Sequence, residues 1–394
     1  MPSGSEVFIV GACRTAIGEL GGGLAPLTAV ELGAHVIREV VSRAGIEPAE
    51  VEEVMLGNVI SAGVGLCPAR QAAVAAGVPI ESPALDVGMV CASGLRAVAL
   101  GAQAIERGER QLMVVGGAES MSNAPHLVRG VRSGRKMGAL EMEDALLADG
   151  LNCSIGHEHM GLTAERIAAE YGIGREEQDG FALRSHERAV AARDDFAREI
   201  APIPVPRRKG EPVELCVDER PRPDTSIEKL AALKPAFKDG GTVTAGNSSG
   251  VNDGAAAMML ASAGAARERG LTPMARVVDW ASAGVDPGRM GIGPVPATRN
   301  LCEKLGVKPT DFDLVELNEA FAAQALAVIR DLGLDPEVVN VRGGAVALGH
   351  PLGCTGARIL VTLIHAMRDR GAKTGLATLC IGTGMGMALA VEAV

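Results

Sequence analysis

A layered α/β protein, made of two copies of one unit with a long segment inserted, is what this sequence predicts. Three observations carry that expectation. Short apolar runs alternate with stretches of helical periodicity near both ends of the chain, the pattern of strands covered by helices. The block AGIEPAEVEEVML at 44–56 resembles LGVKPTDFDLVEL at 305–317, and SGLRAV from Ser93 resembles TGARIL from Thr355. Between the copies, residues 121–250 break the alternation, with more charge and a run of prolines from Pro202 to Pro223.

In order, VFIVG from Val7 reads as a buried strand that ends in a glycine-rich loop. Residues 28–44 have helical periodicity with Thr28 as the cap. A strand follows at 51–60, a short helix at 69–76, and a strand-like run from Ala84. That run turns at Cys91-Ala92-Ser93-Gly94 and continues as a helix through Leu95, Val98, Leu100 and Ile105. Leu112–Val115 is a short strand ending in Gly-Gly, and the alternation points to a largely parallel sheet. Residues 176–196 read as one helix, and regular alternation resumes near Ala255. The repeat pairs Gly45 with Gly306 and Pro48 with Pro309 at a shift of 261, and Ser93 with Thr355 at 262. Two ordered matches at nearly one shift indicate a duplicated unit. The division expected is 1–120 (returning at about 251–272), an insertion at 121–250, and a second half at 273–394.

The 394 residues are 47% hydrophobic and 22% charged, an ordinary globular balance that demands more than one core. A net charge of −10 and 2% aromatics supply neither the basic footprint nor the stacking residues of a nucleic-acid binder. No apolar run reaches the roughly 18 residues of a membrane span, and the start shows no leader, so a cytoplasmic location is expected. Eight cysteines lie scattered with no Cys-x-x-Cys pair, which argues for free thiols.

The chemistry follows from the duplication. Each copy presents the turn between strand and helix at a shared face, where α/β folds bind ligands. In the first copy that turn holds Cys91, at a helix start that favours a thiolate. In the second, GGAVALGHPLGCTG puts His350 in the equivalent loop. ELNEAFA adds Asn318 and TLCIGTGMG adds Cys380. Nucleophile, base, donor and a second acid/base on one face form a reactive site.

The sequence resembles the thiolase family, of the acetyl-CoA acetyltransferase kind, along nearly its whole length. The blocks that carry the resemblance are RTAIG at Arg14, GGAESMS at Gly116, HMGLTAE at His159, KPAFKDGGTVTAGNSSGVNDGAA at Lys234, NEAFA, GHPLG and CIGTG. Related ketoacyl synthases use Cys with two His, so Cys380 favours the thiolase branch. The resemblance implies duplicated halves in an αβαβα layering with an inserted CoA-binding loop domain. It implies reversible Claisen condensation of two acetyl-CoA to acetoacetyl-CoA and CoA. Cys91 would be the acylated nucleophile, His350 its base, and Cys380 the group that takes the α-proton. The N–H groups of Cys91 and Gly382 would form one oxyanion hole, and His350 with a water on Asn318 the other. Leu151, His159, Met160, Arg222, Phe237, Ala245, Ser249 and Phe321 would contact CoA. Coenzyme A thioesters are substrates, no resident cofactor or metal is implied, and the family assembly is a homotetramer.

Departures from the family pattern are Gly88 for an asparagine, Cys354-Thr355 for Ala-Ser, and Thr383 and Met385 in the last glycine-rich turn. The loop LNCSIGHEHMG lacks the usual aromatics. These weaken the expectation for acyl length, and a degradative 3-ketoacyl-CoA thiolase for longer chains stays open. So does a Cys-His thioester hydrolase, which has no use for Cys380. A non-catalytic acyl-binding protein would have lost one of the three reactive residues. The remaining cysteines read as packing residues, and His157-Glu158-His159 lacks a third metal ligand.

Overall fold

In the computed structural model, which describes residues 6–394, the first half runs β1 (Val7–Arg14), α1 (Ala29–Ala44), β2 (Glu53–Gly57), α2 (Pro68–Ala75), β3 (Ala84–Val87), α3 (Ser93–Glu106) and β4 (Leu112–Ser120). The inserted stretch carries α4 (Met160–Tyr171) and α5 (Arg175–Ala191). Then come β5 (Asn252–Ser262), β6 (Ala275–Gly284), α6 (Pro294–Leu305), β7 (Leu314–Leu317), α7 (Ala322–Leu332), α8 (Leu352–Arg370), β8 (Thr374–Ile381) and β9 (Met385–Glu392).

The strands join in the order β7-β8-β9-β6-β1-β5-β4-β2-β3, with Gly18–Glu19 paired to β5. Side-chain alternation along a strand sorts the residues into layers. Val114 and Met259 face a core under α1 and α2. Their neighbours Val115 and Met258 face the central core, where α3 and α8 lie. In the second half, Leu379 and Leu389 join that central core, while Leu376, Ala388 and Ala390 pack under α6 and α7. Helices, sheet, helices, sheet, helices is therefore the order, the αβαβα layering.

The sheet is not largely parallel. Only β2 with β3 and β4, and β7 with β8, run parallel; the central pairs are antiparallel. Strand–helix alternation signals crossovers, but β8 and β9 form a hairpin whose turn places Thr383 and Gly384 at φ 71° and 89°. Gly116 and Gly117 do not end β4; they lie inside it. A Cβ on Gly116 would come within 2.1 Å of the Ala256 oxygen, and one on Gly117 within 2.0 Å of the Gly353 oxygen. Close backbone approach, not a turn, requires these glycines.

The repeat is structural. Gly45 and Gly306 cap α1 and α6 in the left-handed conformation at φ 69° and 68°. Single 3₁₀ turns follow at Pro48–Glu50 and Pro309–Asp311, then the strands β2 and β7. The helices α3 and α8 cross at reciprocal glycines: a Cβ on Gly94 would meet the Ala357 nitrogen at 2.8 Å, and one on Gly356 the Leu95 nitrogen at 2.5 Å. Thr28 forms a capping box with Glu31 at the start of α1.

Arg14 ties the inserted stretch to the sheet. Its fully buried guanidinium takes both oxygens of Asp218 at 2.7 and 2.9 Å and Glu199 at 2.7 Å, beneath the Phe196 ring. Losing one partner of such a buried set costs about 3–5 kcal/mol. The helix expected at 176–196 breaks after Ala191 and resumes at Arg193–Phe196. A small hairpin, His126–Leu127 with Glu143–Asp144, frames an exposed excursion with Val131, Met137, Leu140 and Met142 in solvent. Among the described residues no helix is long and apolar enough to cross a membrane.

Candidate active site

The chain leaves β3 and makes a 3₁₀ turn at Val90–Ala92 before α3 begins. Val90 takes φ 47°, a position that a β-branched residue holds only under constraint. Ser93 supplies the constraint: its hydroxyl accepts from the Met89 N–H at 2.8 Å and donates to the Val90 oxygen at 2.7 Å. The turn presses Cys91 against the start of α8 and against β8. The thiolate expected at a helix start is not favoured at rest: burial pushes the Cys91 thiol up to about 11, outweighing the opposing N–H groups of Gly382 and of Cys91 itself. Cys380, at the end of β8, is also buried and raised, and negative charge on Cys91 raises it further.

His350 enters from the second copy, but not at the strand-to-helix turn expected. Its loop lies between a short helix (Ala345–Leu348) and α8, because the strand β7 ends at Leu317 and α7 intervenes. Gly349 stands at φ 106°, where a Cβ would strike the Asn252 side chain at 2.4 Å. The Asn252 amide oxygen accepts the His350 N–H at 3.0 Å, which fixes the loop. The ring is oriented by Thr355, whose hydroxyl lies 2.7 Å from Nδ1 and donates to the Pro351 oxygen at 2.8 Å. Because that hydroxyl has spent its proton, Nδ1 must be the donor, and Nε2 is left with a free lone pair. Asn318 Nδ2 stands 3.5 Å from Nε2. The Asn318 oxygen is buried with no protein partner, while its backbone N–H is tied to Thr378 at 3.0 Å. Burial, then the nearby Arg358 cation, lowers His350 to about 3, so the imidazole rests neutral.

The inserted stretch closes the site. Cys380 packs in one apolar cluster with Cys153, Met160, Met290, Ala320 and Phe321, against Phe237. Phe237 stacks on His159 at 4.8 Å and meets Phe321 edge-on at 6.0 Å. His159 caps α4 by accepting the Gly161 N–H, and its neighbour Glu158 pairs with Arg166, so these two are engaged in structure while the His157 side chain is exposed. Ser249 donates its N–H to the Ala320 oxygen at 3.0 Å, joining the loop to the wall. Further out, a cavity of about 280 Å³ is lined by His186, Arg220, Arg222, Lys229 and Ala245. Leu151 ends a π-helical turn and packs on the central core that contains Cys91.

The expected residues thus fall in two groups. Asn318 meets the His350 ring, Cys380 packs with Met160, Phe237 and Phe321, and Gly382 lies against Val90 and Met160, while Arg222 and Ala245 line the outer cavity. Sequence reasoning missed Met290, which lies in an unremarked RMGIG stretch, and His186, Arg220 and Lys229, which are dispersed along the chain. The departures are accommodated. A Cβ on Gly88 would meet nothing within 4 Å, and Cys354 is fully buried with its thiol pushed up to about 12.

Two buried thiols, Cys91 and Cys380, and a buried neutral imidazole oriented by a hydroxyl are the chemistry of an acyltransferase. The Thiolase, N-terminal domain family matches residues 7–264, and the Thiolase, C-terminal domain family matches 271–393. The chain is 54% identical over 389 residues to an acetyl-CoA acetyltransferase of Chromobacterium violaceum, covering 98% of this chain and 99% of that one. Identity to the acetyl-CoA acetyltransferase of Cupriavidus necator is 52% over 390 residues, with coverage of 98% and 99%. The acetyl-CoA acetyltransferase of Bacillus anthracis superposes with a TM-score of 0.98 at 46% identity, covering 100% of both chains. Human mitochondrial 3-ketoacyl-CoA thiolase superposes at 0.96 and 43%, covering 99% of each. The chain belongs to the thiolase family.

Proposed function

We propose that this enzyme catalyses the reversible Claisen condensation of two acetyl-CoA molecules to acetoacetyl-CoA and free CoA. The observation that carries the reading is a buried His350 whose Nδ1 is held by Thr355 and whose Nε2 faces Asn318, together with the buried thiols of Cys91 and Cys380. The Cys91 sulfur attacks the acetyl-CoA carbonyl as its proton passes to Nε2 of His350. The tetrahedral oxyanion forms against His350 and a water on Asn318, and CoA leaves with the proton. The acetyl oxygen on Cys91 then takes the backbone N–H groups of Cys91 and Gly382. Cys380 removes an α-proton from the second acetyl-CoA, and the enolate attacks the acetyl-cysteine. That attack forms the new carbon–carbon bond; collapse of the tetrahedral oxyanion then breaks the carbon–sulfur bond to Cys91, and the Cys91 thiolate regains the proton that Cys380 took. Preorganised donors in a dry site are what an enolate of a weakly acidic thioester needs.

Phe237, Met160 and Phe321 pack the pantetheine arm. The cavity lined by Arg220, Arg222 and Lys229, the last paired with Asp224 at 2.6 Å, suits the phosphorylated nucleotide of CoA through its two arginines. No resident cofactor or metal takes part. A cytoplasmic homotetramer is the working assembly, with the exposed excursion at 128–142 covered by a second copy. A thiolase acting on longer 3-ketoacyl-CoA is the second reading, favoured by the likeness to the human mitochondrial enzyme.

The two cysteines separate in one experiment. Cys91→Ala abolishes acetyl labelling and turnover in both directions. Cys380→Ala still forms the acetyl-enzyme and exchanges label between CoA and acetyl-CoA, but loses condensation by about 10²–10⁴-fold. A Cys380→Ala enzyme that condenses acetyl-CoA at the wild-type rate overturns the assignment of Cys380.

A further inference from the structure

One turn beyond Thr355 on α8, Arg358 is fully buried, and so is Glu316 on β7, two residues before Asn318. Arg358 Nη1 and Glu316 Oε2 are 3.6 Å apart, beyond a hydrogen bond. None of the three guanidinium nitrogens, and neither Glu316 oxygen, has a hydrogen-bond partner among the described residues. The other charges in this region are engaged. Arg14 is held by Asp218 and Glu199. Glu319 accepts from Ser185, Asn340 and the Val346 N–H. Arg342 pairs with Asp369 and faces Glu199 at 3.8 Å. Those groups fasten loops. Arg358 and Glu316 fasten none by a hydrogen bond, and a buried pair so loosely joined stabilises a fold no better than apolar residues of the same volume.

What the pair does have is its place. Arg358 stands on the helix that carries Thr355, the anchor of the His350 ring. Glu316 stands on the strand that leads to Asn318, whose amide meets the other ring nitrogen. We propose that Arg358 and Glu316 are a positioning pair for the base: they couple α8 to β7 at the His350–Asn318 edge and set a fixed cation behind the imidazole. The inference rests on the reading of His350 as the acylation base. The guanidinium opposes a second positive charge, so the ring keeps its Nε2 lone pair until the thiol proton arrives. It then surrenders that proton readily to the departing CoA sulfur. The Arg358 charge is felt by His350, by Cys354 and by Glu319, which surround it. Glu316 faces Arg358, Glu199, Glu319 and Arg342, and burial lifts its carboxyl to about 8. It can therefore hold a proton if its cation is removed, which lets a single substitution fold.

The test uses full-length Arg358→Met, the double variant Arg358→Met/Glu316→Leu, and Arg358→Lys. Thiolysis of acetoacetyl-CoA is followed in pH-jump assays from about pH 2.5 to 9, a range that spans the acidic limb of a base lowered to about 3, with melting temperatures alongside; wild-type thiolysis checks the underlying reading separately. In whichever of the first two variants folds, kcat falls at least tenfold while KM for CoA stays within twofold. The acidic limb of kcat/KM moves up by about one pH unit as the cation is lost. Arg358→Lys, which keeps a cation, restores the wild-type limb. An unmoved acidic limb in a folded Arg358→Met or double variant, whatever its kcat, overturns the proposal; wild-type thiolysis that is itself absent overturns the reading beneath it instead.

Discussion

Replacing Thr355 with Val tests the orientation of the base directly. The two side chains have nearly one shape, and the site is fully buried, so the change removes an oxygen and little volume. Two interactions go: the 2.7 Å contact with His350 Nδ1 and the 2.8 Å donation to the Pro351 oxygen. A buried donor left without an acceptor costs about 1–3 kcal/mol. The ring can escape that cost by moving its proton to Nε2, which is the atom that must accept from Cys91. If the whole penalty falls on the reactive tautomer, kcat drops roughly 5- to 150-fold at about 1.4 kcal/mol per decade. KM for CoA stays put, because the nucleotide cavity lies elsewhere. The assay is acetoacetyl-CoA thiolysis, paired with the rate of Cys91 alkylation by iodoacetamide. Thr355→Ser keeps the oxygen and stays near wild type in both. A folded Thr355→Val enzyme with wild-type kcat and alkylation rate refutes the tautomer argument.

Acetoacetyl-CoA is cleaved far faster than a six- or eight-carbon 3-ketoacyl-CoA, since Met160, Met290 and Phe321 crowd Cys380; comparable kcat/KM for both lengths moves the enzyme to the longer-chain class. Light scattering at micromolar concentration gives a mass of four chains, and a monomer alone removes the assembly proposal. Glu316 is raised above 4.5 to about 8 because burial outweighs the attraction of Arg358. The folded state then holds a proton that the unfolded chain releases. Stability from this group is complete below about 4.5 and is lost as pH rises through about 8. Glu316→Gln accordingly flattens the fall of melting temperature between pH 5 and 9; an unchanged slope contradicts the sign.

The sequence was most legible where local chemistry decides the backbone. Thr28 and Glu31 announce the cap of α1, and the Gly45/Gly306 and Pro48/Pro309 pairs mark the repeated helix-to-strand passage. Cys91 could be placed because it sits in a strand–turn–helix unit, and His350 because the glycines around its loop are visible, although that loop joins two helices and not a strand to a helix. Partners set by long-range packing were not legible. Gly116-Gly117 reads as a turn until Gly353 and Ala256 are seen pressing against it. Strand direction at the centre of the sheet depends on β5 and β9 returning through a hairpin and a long insertion, which periodicity cannot report. Met290, His186 and Arg220 reach the site only because α4, α5 and their loops fold over it.

The crossing of α3 and α8 has a consequence for the history of the chain. At a shift of 262, Gly88 corresponds to His350, and Gly353 to Cys91. Each loop thus keeps one reactive side chain and a glycine where its twin is reactive. Two identical loops related by an axis must change together; fused in one polypeptide, they are free to specialise. The structure shows how far that specialisation is sealed. A side chain at position 88 would meet nothing within 4 Å, whereas one at 353 would strike Asn58 Cα at 2.8 Å and the Gly57 oxygen at 2.9 Å. A second imidazole could be written back into the first loop, but a second nucleophile has no room in the other. The division of labour between the halves is therefore reversible on one side only.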